Sequence, residues 1–197
     1  KKRNRDKIIL ATKIASGHPK GVGATGLSWI RKGQKYLKFD KKNINTAVNN
    51  SLKRLKTDYI DLYQLHYWDC KTNLNDIFFV LENLKKQGKI RSYGFSNISA
   101  NQIKNFDLFF NNSSSFSFEF SLAEKKFYND IIKLNKKMIF LVYGALGQGI
   151  LTGKYSLNSK FSKDDRRSLK RYTNFHGKKL KKNLSIVTLL KKISNNY

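Results

Sequence analysis

The stretch IDLYQLHYWD, residues 60–69, decides the fold class predicted for this chain. It begins as a run of apolar and β-favouring residues and ends in His66, an aromatic pair and an acid. A lone histidine in such a place is most often a satisfied core or rim residue. It takes on a chemical meaning if its strand is one of a parallel set, because α/β proteins place their chemistry at the carboxyl ends of parallel strands.

Strand-like and helix-like segments alternate on both sides of this stretch. Short apolar runs predict strands at 8–13, 60–66, 91–97, 115–121 and 138–144. Helical spacing of apolar residues predicts helices at 43–55, 76–89, 99–110, 126–137 and around 178–193. This β–α alternation favours parallel strands with helices packed outside. Two architectures fit five such units: an open doubly wound sheet, or part of an eight-stranded barrel with its strands side by side in chain order.

The net charge of +27 raises the question of nucleic acid binding. Lysine far outnumbers arginine, however, and the lysines are spread over nearly every predicted helix and loop. Readers of specific sequences favour arginine for its bidentate geometry. We interpret the charge as a compositional bias with general attraction to polyanions, and predict no specific nucleic acid partner. A basic nucleic-acid-binding protein remains one alternative.

Length and composition predict a globular protein. The 197 residues are enough for one domain, over residues 1–197, with a core of its own. The longest apolar runs fall well short of the roughly 20 residues that a membrane helix needs, so no membrane partner is expected. No segment has the pattern of a signal peptide. Cys70 is the only cysteine, which excludes an internal disulfide and is consistent with a reducing, cytoplasmic location.

One motif is a weak match to a cofactor fingerprint. GVGATG at 21–26 fits the G-x-G-x-x-G pattern of dinucleotide-binding folds. That fingerprint requires a strand running directly into it and a helix opening from it. Here the predicted strand ends near Lys13 and no clear helical period follows, so we interpret the stretch as a loop.

A stronger signal is the set of polar residues at the predicted strand ends. Lys13, His66, the pair Ser96–Asn97 and Tyr143 each come at the end of a different strand. A single such ending is commonly a solvated rim residue. Four of them among five βα units instead predict a shared site at the carboxyl edge of the sheet.

At these positions the sequence resembles the aldo-keto reductase family. The segments that carry the resemblance are IILATK (8–13), SLKRLKTDYIDLYQLHYWD (51–69), LENLKKQGKIRSYGFSN (81–97) and YGALGQGILTGKY (143–155). GLS at 26–28 and the WD after the histidine are most similar to the aryl-alcohol-dehydrogenase-like branch. The resemblance covers roughly residues 3 to 193. It implies a (β/α)8 TIM barrel, here incomplete with barrel strands three to seven, that reduces small aldehydes or ketones with NADPH.

The resemblance also implies catalytic roles. In the family a hydride passes to the carbonyl carbon while a tyrosine protonates the oxygen. Lys13 matches the lysine that eases proton release from that tyrosine, and His66 matches the histidine that donates a hydrogen bond to the carbonyl oxygen. Both roles agree with elementary electrostatics, because an ammonium stabilises a phenolate and a donor stabilises a developing oxyanion.

Cofactor contacts follow from the same resemblance. Ser96 and Asn97 match the residues that bind the nicotinamide carboxamide, and Tyr143 matches the aromatic residue on which the ring stacks. Ser117 stands where the family usually has a glutamine, which weakens one contact. The residues that match the pyrophosphate loop are Gly144, Leu146 and Lys154, and Arg166 is a further candidate for a phosphate.

Two expected segments have no match in the sequence. The family's aspartate and tyrosine lie in a D-T-A-x-x-Y-G pattern before the lysine strand, and its grip on the adenosine 2′-phosphate lies after the last helix. We therefore expect an internal piece of a longer reductase that does not turn over substrate alone. A non-catalytic relative that binds NADPH as a regulatory subunit is the second alternative. The sequence predicts neither the particular carbonyl substrate nor the oligomeric state.

Overall fold

The computed structural model describes residues 4–15, 38–69, 71–98, 111–126, 128 and 138–196. The strands are β1 (Ala11–Ala15), β2 (Ile60–Tyr67), β3 (Ile90–Ser96), β4 (Ser115–Glu119) and β5 (Ile139–Tyr143), and the helices are α1 (Lys41–Leu55), α2 (Leu74–Lys86) and α3 (Gly177–Ser194). Four features predicted from sequence lie wholly or mainly outside the described residues: the GVGATG stretch at 21–26, Cys70, and the helices at 99–110 and 126–137.

The five strands form one sheet in the order β1-β2-β3-β4-β5. The first three pairs are parallel. Between β4 and β5, the Ile139 amide donates to the Ser114 carbonyl at 3.0 Å and the Phe120 amide to the Tyr143 carbonyl at 3.1 Å. These two bonds advance together along both strands, which is the pattern of a parallel pair. A doubly wound sheet would reverse its strand order midway, so the chain-order prediction is confirmed.

The first strand differs most from its prediction. It begins at Ala11 and runs past Lys13 to Ala15, so the expectation that Lys13 closes its strand is wrong. Ile8 and Ile9 lie before the strand and are 55% and 83% exposed. The pairing with β2 explains the shift, because it starts at Ala11 opposite Leu62 and leaves the preceding isoleucines without a strand beside them.

Helices α1 and α2 each begin two residues earlier than predicted, and a side chain caps the start of each helix. Asp40 Oδ1 accepts from the Asn43 amide at 2.8 Å, and Asn73 Oδ1 accepts from the Asn75 amide at 2.9 Å. Such caps satisfy amides that the first turn of a helix leaves without partners. Helix α2 packs against β3, where the Tyr93 hydroxyl donates to Glu82 Oε1 at 2.7 Å. Helices α1 and α2 therefore pack on one face of the sheet, against β1 and β3 respectively.

The chain divides into two compact units, residues 1–118 with 130–141, and residues 119–129 with 142–197. The first unit has a core of fully buried aromatic and aliphatic side chains that includes Tyr63, Phe95 and Phe116. In the second unit α3 buries Asn183 and Val187, and Asn183 Nδ2 donates to the Asn174 carbonyl at 3.1 Å. The single domain over 1–197 stays a prediction.

Candidate functional site

The face of the sheet opposite the helices carries a polar layer in the first unit. Lys13 lies opposite Gln64, Gln64 opposite Gly94, and Gly94 opposite Ser115. Gln64 Nε2 donates to Ser115 Oγ at 2.9 Å and so bridges two strands past Gly94. A Cβ at Gly94 would come within 2.3 Å of both the carbonyl oxygen and Oγ of Ser115. The glycine therefore leaves the space that this hydrogen bond needs.

Two residues further along the strands, the same face carries His66, Ser96 and Ser117, because side chains alternate across a strand. Ser96 lies opposite Ser117 in the β3–β4 register. His66 is passed over in the β1–β2 register, which goes from Ile14–Leu65 directly to Ala15–Tyr67. This irregularity lies next to the imidazole, and bulges of this kind commonly re-aim a side chain beside a site.

Lys13 and His66 are coupled electrostatically. Burial lowers the pKa of the His66 imidazole, and the positive charge of Lys13 lowers it further. Partial burial also lowers the pKa of the Lys13 ammonium. The neutral form of His66 is thus favoured near neutral pH, and a neutral imidazole offers one N–H donor and one acceptor nitrogen. The structure brings together the two residues that the sequence assigned to catalysis.

Asn97 fixes the end of β3 to both neighbouring strands. Its backbone has a φ of 59°, a left-handed conformation that asparagine tolerates better than most residues. Its amide N–H donates to the Ser117 carbonyl at 3.1 Å. Its side-chain Nδ2 donates to the His66 carbonyl at 3.1 Å and to Ser96 Oγ at 2.8 Å. Asn97 is half-buried, whereas Ser96 and Ser117 are fully buried.

The remaining predicted cofactor residues lie in the second unit, on or beside the glycine-rich loop, residues 144–153. Tyr143 precedes this loop and is half-buried, and Lys154 follows it and is exposed. Leu146 is 60% exposed. The glycines at 144, 147, 149 and 153 all have positive φ angles, between 57° and 102°. Arg166 is exposed and begins a 3₁₀ turn, Arg166–Ser168.

Some site residues were not predicted from the sequence. Gln64 and Ser115 form the polar layer next to Lys13, although both looked like ordinary strand residues. The alternation in SFSFE offered a signal, because it places Ser115, Ser117 and Glu119 on one face of β4. Glu119 is buried, and Gln148 Nε2 donates to its Oε1 at 3.1 Å in the second unit.

Neither a metal-binding cluster nor a membrane-spanning helix is found in the part of the chain that the structure describes. No group of three or more His, Cys, Asp or Glu side chains there is arranged to hold a metal ion. Among the same residues, no helix has the length and apolarity to cross a membrane.

Comparison with known proteins places these features in context. The model of the aldo/keto reductase family matches residues 1–197. An aldo-keto reductase of Bacillus subtilis is 34% identical over 192 residues, which are 96% of this chain and 54% of the relative. The NADH-specific methylglyoxal reductase of Escherichia coli is 29% identical over 167 residues, covering 78% of this chain and 48% of the relative. The chain thus spans about half the length of the curated relatives that it matches.

A solved structure gives the same result for the fold. The glycerol dehydrogenase of Gluconobacter oxydans superposes with a TM-score of 0.68 at 32% sequence identity, over 81% of this chain and 48% of that structure. The strands β1 to β5 are accordingly five consecutive strands of a (β/α)8 barrel fold, as the sequence predicted.

Proposed function

The chain belongs to the aldo/keto reductase family, and we propose that it acts in the NADPH-dependent reduction of aldehydes or ketones to alcohols. One observation carries this proposal: Lys13, at the middle of β1, and His66, near the carboxyl end of β2, lie on the same polar face of the sheet, and the charge of Lys13 lowers the pKa of His66. Carbonyl reduction develops negative charge on an oxygen, and polar donors beside that oxygen stabilise it.

His66 is proposed to orient the substrate. With its pKa lowered, the imidazole is neutral at physiological pH and donates a single N–H. A hydrogen bond from this group to the carbonyl oxygen strengthens as negative charge develops there. Asn97 supports the role, since its side chain holds the main chain at His66.

Lys13 is proposed to act through a tyrosine. Its ammonium favours the ionised phenol and so eases transfer of the phenolic proton to the substrate oxygen. The printed sequence contains no D-T-A-x-x-Y-G pattern. We propose that the tyrosine belongs to a segment preceding Lys13 in the whole protein, and that this chain alone does not turn over substrate.

The residues present fit a nicotinamide dinucleotide. When bound, the cofactor supplies the hydride that reduces the carbonyl carbon. Asn97 is half-buried at the edge of the sheet and is proposed to bind the carboxamide, with Ser96 and Ser117 buried as its support. Tyr143 would stack on the ring.

The glycine-rich loop suits the pyrophosphate, because backbone amides in positive-φ turns and an exposed lysine attract anions. Gly144, Leu146 and Lys154 are the residues proposed to contact it, and Arg166 is a further candidate. NADPH is the proposed cofactor from the resemblance of these motifs. An NADH-specific relative makes NADH the competing choice. A reducing, cytoplasmic location belongs to the same proposal and is supported by the single cysteine.

The decisive experiment uses the whole protein with His66→Ala and His66→Asn. His66→Ala is expected to lower turnover of aldehydes by about 10²-fold, because it removes a donor to the developing oxyanion. His66→Asn keeps an N–H donor and is expected to lose less. The affinity for NADPH, measured by titration alongside NADH, should barely change. Unaltered turnover in His66→Ala would contradict the catalytic assignment.

Cofactor binding is tested separately at Tyr143. Tyr143→Ala is expected to weaken NADPH binding by about 1 kcal/mol, roughly fivefold, because it removes the stacking surface. Tyr143→Phe keeps the ring and serves as the control. Tight NADPH binding without any turnover, in a whole protein that lacks the tyrosine, would favour the non-catalytic relative. That second candidate rests on the missing D-T-A-x-x-Y-G pattern.

A further inference from the structure

Glu119 is a buried acid that the proposed reaction does not use. It lies at the end of β4 and is only 7% exposed. Burial raises the pKa of its carboxyl, and the nearby negative charge of Glu124 raises it further, while Lys179 and the hydrogen bond from Gln148 act in the opposite direction. Lys179 itself donates to Glu124 Oε2 at 2.7 Å. The acid engaged with the glycine-rich loop is therefore Glu119.

Gln148 is the point at which the loop meets this acid. Gly147, Gln148 and Gly149 have consecutive positive φ angles of 57°, 61° and 102°. Glutamine has no intrinsic preference for this region, so surrounding contacts have to hold it there. Backbone hydrogen bonds contribute, from the Gly147 amide to the Gly144 carbonyl at 2.7 Å and from the Gly149 amide to the Leu146 carbonyl at 3.0 Å. The side-chain contact that adds to them is the hydrogen bond from Gln148 Nε2 to Glu119 Oε1, at 3.1 Å.

Gly144 leaves space for the same carboxyl group. A Cβ at this position would lie 3.1 Å from Glu119 Cγ and 3.2 Å from Oε1. Such distances are tighter than ordinary van der Waals contact. The first residue of the glycine-rich loop therefore packs directly on the acid that holds the centre of the loop.

We propose that Glu119 is a positioning residue that holds Gln148, and through it the glycine-rich loop, in the conformation that binds the phosphates of the cofactor. This inference rests on the proposed function, because the loop is the part of the chain assigned to the pyrophosphate. A preformed loop binds more tightly than one that has to be ordered on binding. Glu119 thus acts on cofactor affinity without contacting the cofactor.

The test combines Glu119→Ala, Gln148→Ala and the double variant in the whole protein. Two quantities are measured: the dissociation constant of NADPH, and the hydrogen-exchange rate of peptides from the glycine-rich loop without cofactor. Each single variant is expected to weaken NADPH binding roughly five- to tenfold, as expected for one lost hydrogen bond to a charged or buried group. Each is also expected to speed exchange in the loop. The double variant should be no worse than the singles, because both remove one interaction.

Two controls separate positioning from general support. Glu119→Gln keeps the volume and an acceptor oxygen, so it is expected to restore most of the affinity. Glu124→Ala removes the neighbouring acid and is expected to leave exchange in the loop unchanged. A merely structural Glu119 would instead destabilise the whole unit, with exchange rising equally in α3.

Each remaining outcome contradicts a definite claim. Unchanged loop exchange in Glu119→Ala would overturn the positioning role while leaving the proposed function intact. Faster exchange with unaltered NADPH affinity would also overturn it, because the loop conformation that Glu119 holds would then not matter for binding the cofactor. Absence of NADPH binding by the unmutated protein would overturn the proposed function itself, and the positioning role with it.

Discussion

The two ends of the sheet in the first unit differ in how their ionisable side chains are paired. At the amino end, Asp61 is buried and accepts from Arg5 at 2.6 Å, from Arg91 at 3.0 Å and from the Leu10 amide at 2.9 Å. The ring of Tyr59 lies between the two guanidinium groups, 3.9 and 4.0 Å from their central carbons. Nearer the carboxyl end, the opposite face of the sheet carries Lys13 and His66, and the positive charge of Lys13 disfavours a second positive charge on His66.

The pKa shifts record this difference. Burial alone would raise the pKa of Asp61, but the Leu10 amide and the two arginines outweigh it and lower the pKa. The pKa values of Lys13 and His66 are both lowered, because a positive charge on either group is less favourable there than in water. The surroundings of Asp61 at the amino end therefore stabilise its charged form, whereas the surroundings of Lys13 and His66 disfavour their charged forms. The amino end thus stabilises the fold, whereas the carboxyl end is the side on which (β/α)8 barrels in general place their chemistry.

Gly94→Ala is expected to lower the free energy of unfolding most, because it would disrupt the polar layer that lies between the two ends of the sheet. The added Cβ would meet the carbonyl oxygen of Ser115 at 2.3 Å, and a backbone atom cannot move aside without separating β3 from β4. We expect a loss of about 3 kcal/mol in the free energy of unfolding, measured by urea denaturation.

Gly88→Ala is the matched control for that variant. Gly88 has a φ of 71°, yet nothing lies within 4 Å of a Cβ built there. Only backbone strain applies, at a cost of about 1 kcal/mol. If the two variants lose the same free energy of unfolding, the contact between the added Cβ and Ser115 is relieved at no cost. The close approach of β3 and β4 at Gly94 would then not be a fixed feature of the polar layer.

Asp61→Asn tests the amino end and is expected to cost about 2 kcal/mol, because it weakens charge-assisted hydrogen bonds to two arginines. The folded pKa of Asp61 is below its usual 3.8, so its contribution is present above that pH and is lost as the pH falls through the folded pKa. Thermal melts of both proteins should therefore converge only once the pH has fallen below the folded pKa of Asp61, which itself lies below 3.8. Asp164→Asn, at an exposed loop position, serves as the control and should change the melting temperature little.

The sequence predicted most of the sheet because composition and pairing agree there. The bounds of β2 and β3 fall within one residue of their predictions, since the run of apolar and β-favouring residues in each coincides with the length that its neighbours pair. β1 was misplaced because Ile8 and Ile9 are apolar yet exposed, and only the register with β2 shows where pairing begins. Apolar composition identifies a strand, whereas its partner sets the ends.

Only the part of the site that has a local sequence signal was predictable. Lys13 and His66 could be assigned from their motifs, and the structure couples them. The hydrogen bond from Gln64 to Ser115 depends on the registers of three strands and has no local sequence signal. The positive φ of Gln148 is equally hidden, because it follows from a partner 29 residues away in the chain.

Lys13→Met is expected to have the smallest effect of these variants, a change in the pKa of His66. It tests the comparison between the two ends of the sheet most directly. Removing the ammonium should raise the pKa of His66, because the positive charge of Lys13 disfavours the imidazolium. Burial, the larger cause, remains, so the pKa should stay below the ordinary value of 6.5. The measurement is an NMR titration of the His66 ring. Asp61→Asn should leave this titration unchanged, because it alters the other end of the sheet, and so should Lys86→Met at the far end of α2. If the pKa of His66 is the same with and without Lys13, the two side chains do not share a site, and the observation that carries the proposed function is lost.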